Sequence, residues 1–180
     1  MAGLTTSGVY LLSGHDGPYA LERFTCVGDG GRWSYDGACE DPATGVPLGS
    51  LVLRLDGGTV RLHAEAAGWV LRGAAAGGSV LWRRGSDERE AAADGFTGTS
   101  PAHLVVAARL GLPRTDLVEV TEPVLATRLV RRAWTRLGSE QDVDAHEVTD
   151  LATGETGRVH LAGDVVVDAP GVRLLALTRS

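Results

Sequence analysis

Three short stretches of the chain carry residue types capable of chemistry, and each points to a different reaction class. Gly98-Thr-Ser100-Pro-Ala102 has the spacing of a relaxed nucleophile elbow, in which a serine at a strand-to-helix turn attacks a carbonyl. That chemistry needs the residue after the serine to donate its backbone N–H to the oxyanion, and Pro101 has none. Ser100 is better explained as a helix N-cap followed by a proline at the first helical position. Asp142, Asp144 and His146 stand at every second position, so on a strand they point to one face about 7 Å apart in succession, with Asp150 following. They offer one side of a divalent-cation site, the basis of a metal-dependent hydrolase or other small-molecule enzyme. Oxygen-rich sites need six or more ligands or waters, and the surrounding sequence supplies none; a solvated outer face is the plainer reading. His63-Ala-Glu65 matches the first half of a zinc-deaminase signature, but the P-C-x-x-C half is missing.

The remaining candidates are weaker. Gly28-Asp-Gly-Gly31 lacks a following helix to aim its N–H groups at a phosphate, so it is a turn. His15, His103 and His160 have no partners at metal-ligand or triad spacing. The chain contains no lysine, which excludes a Schiff base and a phosphate-loop lysine. No catalytic residue, metal or cofactor is therefore predicted.

The tryptophans are more informative. Trp33, Trp69, Trp82 and Trp134 all fall in predicted strands, and burying about 150–250 Å² at about 25 cal/mol/Å² is worth roughly 4–6 kcal/mol as an upper bound. Core packing is their first explanation. A sheet curled around one short helix also leaves an apolar cleft, and tryptophans with Arg or His at its rim suit a ligand with an apolar body and a polar head. Trp69, Trp82 and Trp134 are the candidate lining, with His103 or Arg109 meeting the head.

The element that would position these residues is the helix from Ser100 to Leu110. Gly111 supplies the left-handed residue that closes it, and Pro113 cannot continue it. Only His103 and Arg109 are strongly polar within it, so it must be covered on most of its circumference, as a plug or lid on a sheet. The rest reads as strand. Ser50 to Glu65 is a hairpin around Asp56-Gly-Gly58, with Val60, Leu62 and Ala64 on one face and Arg61, His63 and Glu65 on the other. Further strands are predicted at Val9 to Leu12, Ala20 to Val27, Arg32 to Cys39, Trp69 to Ala74, Ser79 to Arg84 and Thr115 to Thr121. Ser86 to Asp94 is a charged loop or edge strand. Short runs from Asp142 to Leu177, separated by glycine or proline, indicate an antiparallel meander. Pro123 to Gly138 is ambiguous: Leu125, Leu129, Ala133 and Leu137 recur every four residues, which is a helix pattern.

A chain of 180 residues with no internal linker reads as a single domain over residues 1–180. Its net charge of −6 argues against a nucleic-acid partner. The amino-terminal stretch lacks a signal-peptide pattern and no run reaches membrane-span length, so the expected compartment is the cytoplasm. Cys26 and Cys39 read as small buried hydrophobes; with a hairpin turn at Asp29-Gly30, Cys26 would face Trp33.

The second half carries a resemblance. Thr99-Ser-Pro101, Ala108-Arg-Leu-Gly-Leu112, Glu122-Pro-Val-Leu125, Arg132-Ala-Trp-Thr-Arg-Leu-Gly138 and Asp168-Ala-Pro-Gly171 follow the order and approximate spacing of motifs in the putative glycolipid-binding proteins of bacteria. Trp134 and Ala169 stand where that family has tyrosine. The resemblance implies a spiral β-roll, similar in shape to the half-barrel carriers of lipoproteins, and binding without catalysis. It also implies that Pro123 to Gly138 is a pair of strands. The expected architecture is thus a single all-β-dominated, strongly curved antiparallel sheet with one short helix on its concave face. The expected partner is an amphiphilic small molecule, a lipid or glycolipid. The alternatives are an enzyme using Asp142, Asp144 and His146, and a ligand-free interaction module pairing through an exposed apolar strand edge. The sequence assigns no oligomeric state.

Overall fold

The computed structural model describes residues 4–111 and 113–180; residues 1–3, in the amino-terminal stretch, and residue 112, which ends the 108–112 motif, lie outside it. Eight strands run first as successive hairpins: β1 (Leu4–Gly14), β2 (Gly17–Asp29), β3 (Arg32–Glu40), β4 (Pro47–Asp56), β5 (Thr59–Ala66), β6 (Trp69–Ala76), β7 (Ser79–Arg84) and β8 (Asp87–Ala92). Strand β9 (Gly95–Gly98), helix α1 (Ala102–Leu110) and β10 (Arg114–Thr121) then make a crossover. The chain returns through β11 (Ala126–Glu140), β12 (Val143–Asp150), β13 (Thr156–Ala162), β14 (Val165–Ala169) and β15 (Val172–Arg179). All belong to one 15-stranded sheet ordered β8-β7-β6-β5-β4-β3-β2-β1-β15-β14-β13-β12-β11-β10-β9. Its pairings are antiparallel except β9 with β10, which the helix crossover makes parallel.

This order forces the sheet to roll. Strands β8 and β9 are consecutive in sequence yet lie at opposite ends of the sheet, which if flat would be about 70 Å wide at about 4.8 Å per strand. The two residues between them span only about 10 Å. The sheet must therefore curl through a full turn to bring its edges together. Backbone bonds stitch the junction: Ala93 N–H donates to Gly78 O and Asp94 N–H to Asp116 O. Strand β9 lies against β5–β7 instead of pairing with β8. The ring of Phe96 sits over Gly73, where a Cβ would come within 2.3 Å of its tip. Across the same seam, Arg84 Nε donates to Val124 O at 2.8 Å while its guanidinium stacks on Trp69. The roll is closed by packing and by a few bonds, not by a continuous ladder.

Alternation places the core inside. Strand β5 buries Val60, Leu62 and Ala64 and exposes Arg61 and Glu65. Tyr10, Phe24, Tyr35 and Trp33 form a ladder of stacked rings at centroid distances of 4.6, 5.4 and 5.7 Å. Phe24 is paired with Gly8 and Gly37 on the two neighbouring strands; its ring lies over Gly8, while Glu22 and Tyr35 occupy the space at Gly37. The expected helix is present, with Pro101 already in helical dihedrals and Gly111 left-handed at φ 65°.

Three local expectations are corrected. The β2–β3 turn is Gly30-Gly31, one residue later than Asp29-Gly30, so Cys26 faces Tyr35 and Trp33 faces Gly28. Residues 126–140 form one long strand, neither a helix nor a strand pair; ladders with β10 and β12 on its two sides override the four-residue periodicity. Strand β9 was not foreseen, because Gly95–Gly98 offers little β propensity and gains its place by pairing with β10. Among the described residues no helix is long and apolar enough to cross a membrane.

Candidate ligand groove

Helix α1 is fastened at both ends. At its N-terminus Ser100 Oγ accepts the Ala102 N–H at 3.3 Å and donates to Glu22 Oε1 at 2.6 Å. Glu22 Oε1 also accepts Tyr35 Oη–H at 2.5 Å, and the Cys39 thiol lies 3.8 Å from Oε2. Glu22 is only 1% exposed. Burial raises its carboxyl above the usual range; the bonds from Ser100 and Tyr35 oppose this, and the nearby Glu122 charge adds to it. At the other end of the helix, Arg109 makes a bidentate pair with Asp164 in the β13–β14 turn, at 2.7 and 2.8 Å. A cation in the last turn also complements the helix dipole.

Between these fastenings the helix runs beside β9 and β14 and stands off β11–β13. Strand β12 lies well inside the sheet order, yet every one of its residues remains partly exposed. The space left over β12 contains two cavities. The one at the C-terminal end of α1, about 610 Å³, is lined by Val105, Ala108, Trp134 and Leu161, with Arg109, Arg136, Asp144 and His146 among its polar walls. His146 meets the Trp134 ring edge-on at 5.6 Å. Arg136 Nη2 donates to Asp144 Oδ1 at 2.6 Å, holding the Asp144 carboxyl below its usual range. Burial lowers the His146 imidazole. The indole Nε1 of Trp134 is buried without a hydrogen-bond partner.

The predicted lining residues separate. Trp134 and Arg109 come together in this cavity, although Arg109 commits its guanidinium to Asp164. Trp82, 8% exposed, is packed in the core. Trp69, 40% exposed, lies beneath Arg84 in a different depression bounded by Leu48, Ala66 and Val70. His103 is buried beneath the helix beside Gly98 and does not line the groove; burial first, then the Arg132 charge, lowers its pKa to about 4.

Asp144 and His146 do not sit on the outer face: they share a cavity wall with Val105 and Ala108 of α1 and so point to the concave side, where Asp144 stays solvated with its side chain 43% exposed. Asp142 is in the β11–β12 turn with φ 63°, off the strand face. Among the described residues no three His, Cys, Asp or Glu side chains gather closely enough to hold a metal ion. Ser100 has its hydroxyl engaged by Glu22, and both thiols are raised by burial, Cys26 to about 11. The edge strand β8 carries Asp87, Glu88, Arg89 and Glu90, a charged edge of the kind that discourages pairing with another sheet.

Sequence reasoning missed Glu22, although a signal was present: Ala20, Glu22, Phe24 and Cys26 alternate as one inward set with a carboxylate among them. The Arg109–Asp164 pair joins residues 55 positions apart and has no local signal.

No protein-family model matches the chain, and no curated protein does. Among solved structures it is similar to a β-barrel-like protein of domain of unknown function DUF1849 from Brucella abortus. The likeness covers 99% of this chain and 98% of that one, with a TM-score of 0.50 and 11% identity. It supports the β-barrel-like fold.

Proposed function

We propose that this rolled sheet binds an amphiphilic small molecule, without catalysis, in the groove between α1 and β11–β13. The observation that carries this reading is the cavity in which half-buried Ala108 and Trp134, over core residues Val105 and Leu161, meet a rim of Arg109, Arg136, Asp144 and His146. A ligand's apolar body would lie on Trp134 and the helix, and its head would meet the rim. The rim arginines are each paired with a carboxylate, Arg109 with Asp164 and Arg136 with Asp144. An anionic head would be repelled by these carboxylates as it approached the arginines. A hydroxyl-rich, uncharged head can add to such pairs as both donor and acceptor.

The test is thermal unfolding with neutral alkyl glycosides, below their critical micelle concentrations, against phospholipids of equal chain length. A ligand at one hundred times its Kd stabilises the folded chain by about 2.7 kcal/mol, so the expected result is a clear rise in Tm with the glycosides. Trp134→Ala should abolish that rise, and Trp69→Ala should leave it. No shift with any amphiphile, together with no mass carried by the protein on native mass spectrometry, would refute the reading.

A further inference from the structure

The groove does not end at Trp134. A second cavity of about 480 Å³ opens at the N-terminal end of α1, with Tyr19, Ser100, Glu119, Arg128, Arg132, Asp150 and Glu155 around it and Leu104, Val148 and Val159 within. Its walls adjoin those of the first. Trp134 in one is the cross-strand partner of Val148 in the other, and His146 is the partner of Val159. On the helix, Leu104 and Ala108 are one turn apart on the same stripe and divide between the two. The two cavities are therefore neighbours on either side of an apolar waist, with Leu104 and Ala108 on the helix side and Trp134 and Val148 on the sheet side.

Apart from His146, which stands beside Trp134 at the waist, the charged groups lie at the two mouths. At the C-terminal mouth these are the Arg109–Asp164 and Arg136–Asp144 pairs. At the N-terminal mouth Glu119 accepts bonds from both Arg128 and Arg132, and Arg132 Nη1 also donates to Thr97 Oγ1 at 3.0 Å. From Asp144 to Asp150 the β12 wall rises about 20 Å at about 3.3 Å per residue. A zigzag hydrocarbon advancing roughly 1.3 Å per carbon covers that span with on the order of fifteen carbons.

We infer that the groove accepts a linear amphiphile with an uncharged polar group at each end, its apolar middle threading the waist and one end resting in each mouth. This rests on the amphiphile reading above and adds to it the shape and double-ended character of the ligand. Neutral ends suit both mouths because each arginine named there already lies beside a carboxylate, Arg128 and Arg132 sharing that of Glu119.

The test compares, by calorimetry below the critical micelle concentration, an alkane of about fifteen carbons glycosylated at both ends with the same chain glycosylated at one end. The two-headed ligand is expected to bind about tenfold more tightly, the factor that one or two additional net hydrogen bonds provide. Arg128→Gln should remove that advantage and leave the single-headed ligand unaffected. Ala108→Leu, which fills the waist that both chains must pass, should weaken both ligands. Equal affinity for both ligands, or an advantage that survives Arg128→Gln, overturns the double-ended inference while the amphiphile reading stands. Failure of both ligands to bind overturns the two together.

Discussion

Replacing Glu22 by glutamine should change how stability depends on pH, by one proton. Glutamine keeps an oxygen for the Ser100 and Tyr35 hydroxyls at nearly the same volume and removes the titration. In the folded chain, burial raises the Glu22 carboxyl above its usual 4.5. From 4.5 up to the folded value, the folded chain holds a proton that the unfolded chain has released. Stability therefore falls as pH rises through that window, by about 1.4 kcal/mol per pH unit. His103 acts in the opposite sense. Its pKa is lowered from 6.5 to about 4, so the stability it supports is whole above 6.5 and is lost as pH falls towards 4, roughly 3 kcal/mol in all. From pH 4.5 up to the folded value of Glu22, and below 6.5, the two slopes oppose each other in the wild type. Glu122, also raised by burial, adds to the Glu22 sense and is the same in both proteins. Urea unfolding at intervals across this range should give a stability curve for Glu22→Gln that is steeper than wild type, rising with pH by about 1.4 kcal/mol per unit more at its lower end. Parallel curves would refute a Glu22 carboxyl raised by burial beneath the helix.

Two further outcomes follow from the packing. Gly73→Ala should destabilise by about 1–3 kcal/mol through overpacking against the Phe96 ring, and combining it with Phe96→Leu should cost less than the sum of the two; strict additivity in a denaturation double-mutant cycle would show that this contact does not close the roll. Both cysteine thiols are raised by burial, so a thiol-reactive dye at pH 8 should label the native chain slowly and label both residues at once after denaturation; rapid native labelling would contradict their burial.

Much of this architecture was legible because it is written locally. The period-2 alternation of Val60, Leu62 and Ala64, the Asp-Gly-Gly turn before them and the Gly111 stop each act within a few residues. Strand formation, hairpins and the helix limits follow from such short-range signals. Residues 126–140 show where that reach ends: their four-residue apolar spacing matches a helix, and only the ladders with β10 and β12 make them a strand. The same holds for β9, which has almost no signal of its own.

The sequence by itself determined an antiparallel all-β-dominated chain, its one helix, a net negative charge and the lack of lysine chemistry, because these depend on composition and on neighbours in the chain. Only the tertiary structure decided which side of the sheet Asp144 and His146 occupy, that Trp134 lines a groove while Trp82 is sealed and Trp69 lies elsewhere, and that Ser100 and Arg109 pin the helix through Glu22 and Asp164. Those outcomes depend on how a 15-stranded sheet closes when consecutive strands occupy its opposite edges. That closure is a property of the whole chain, and no window of sequence contains it.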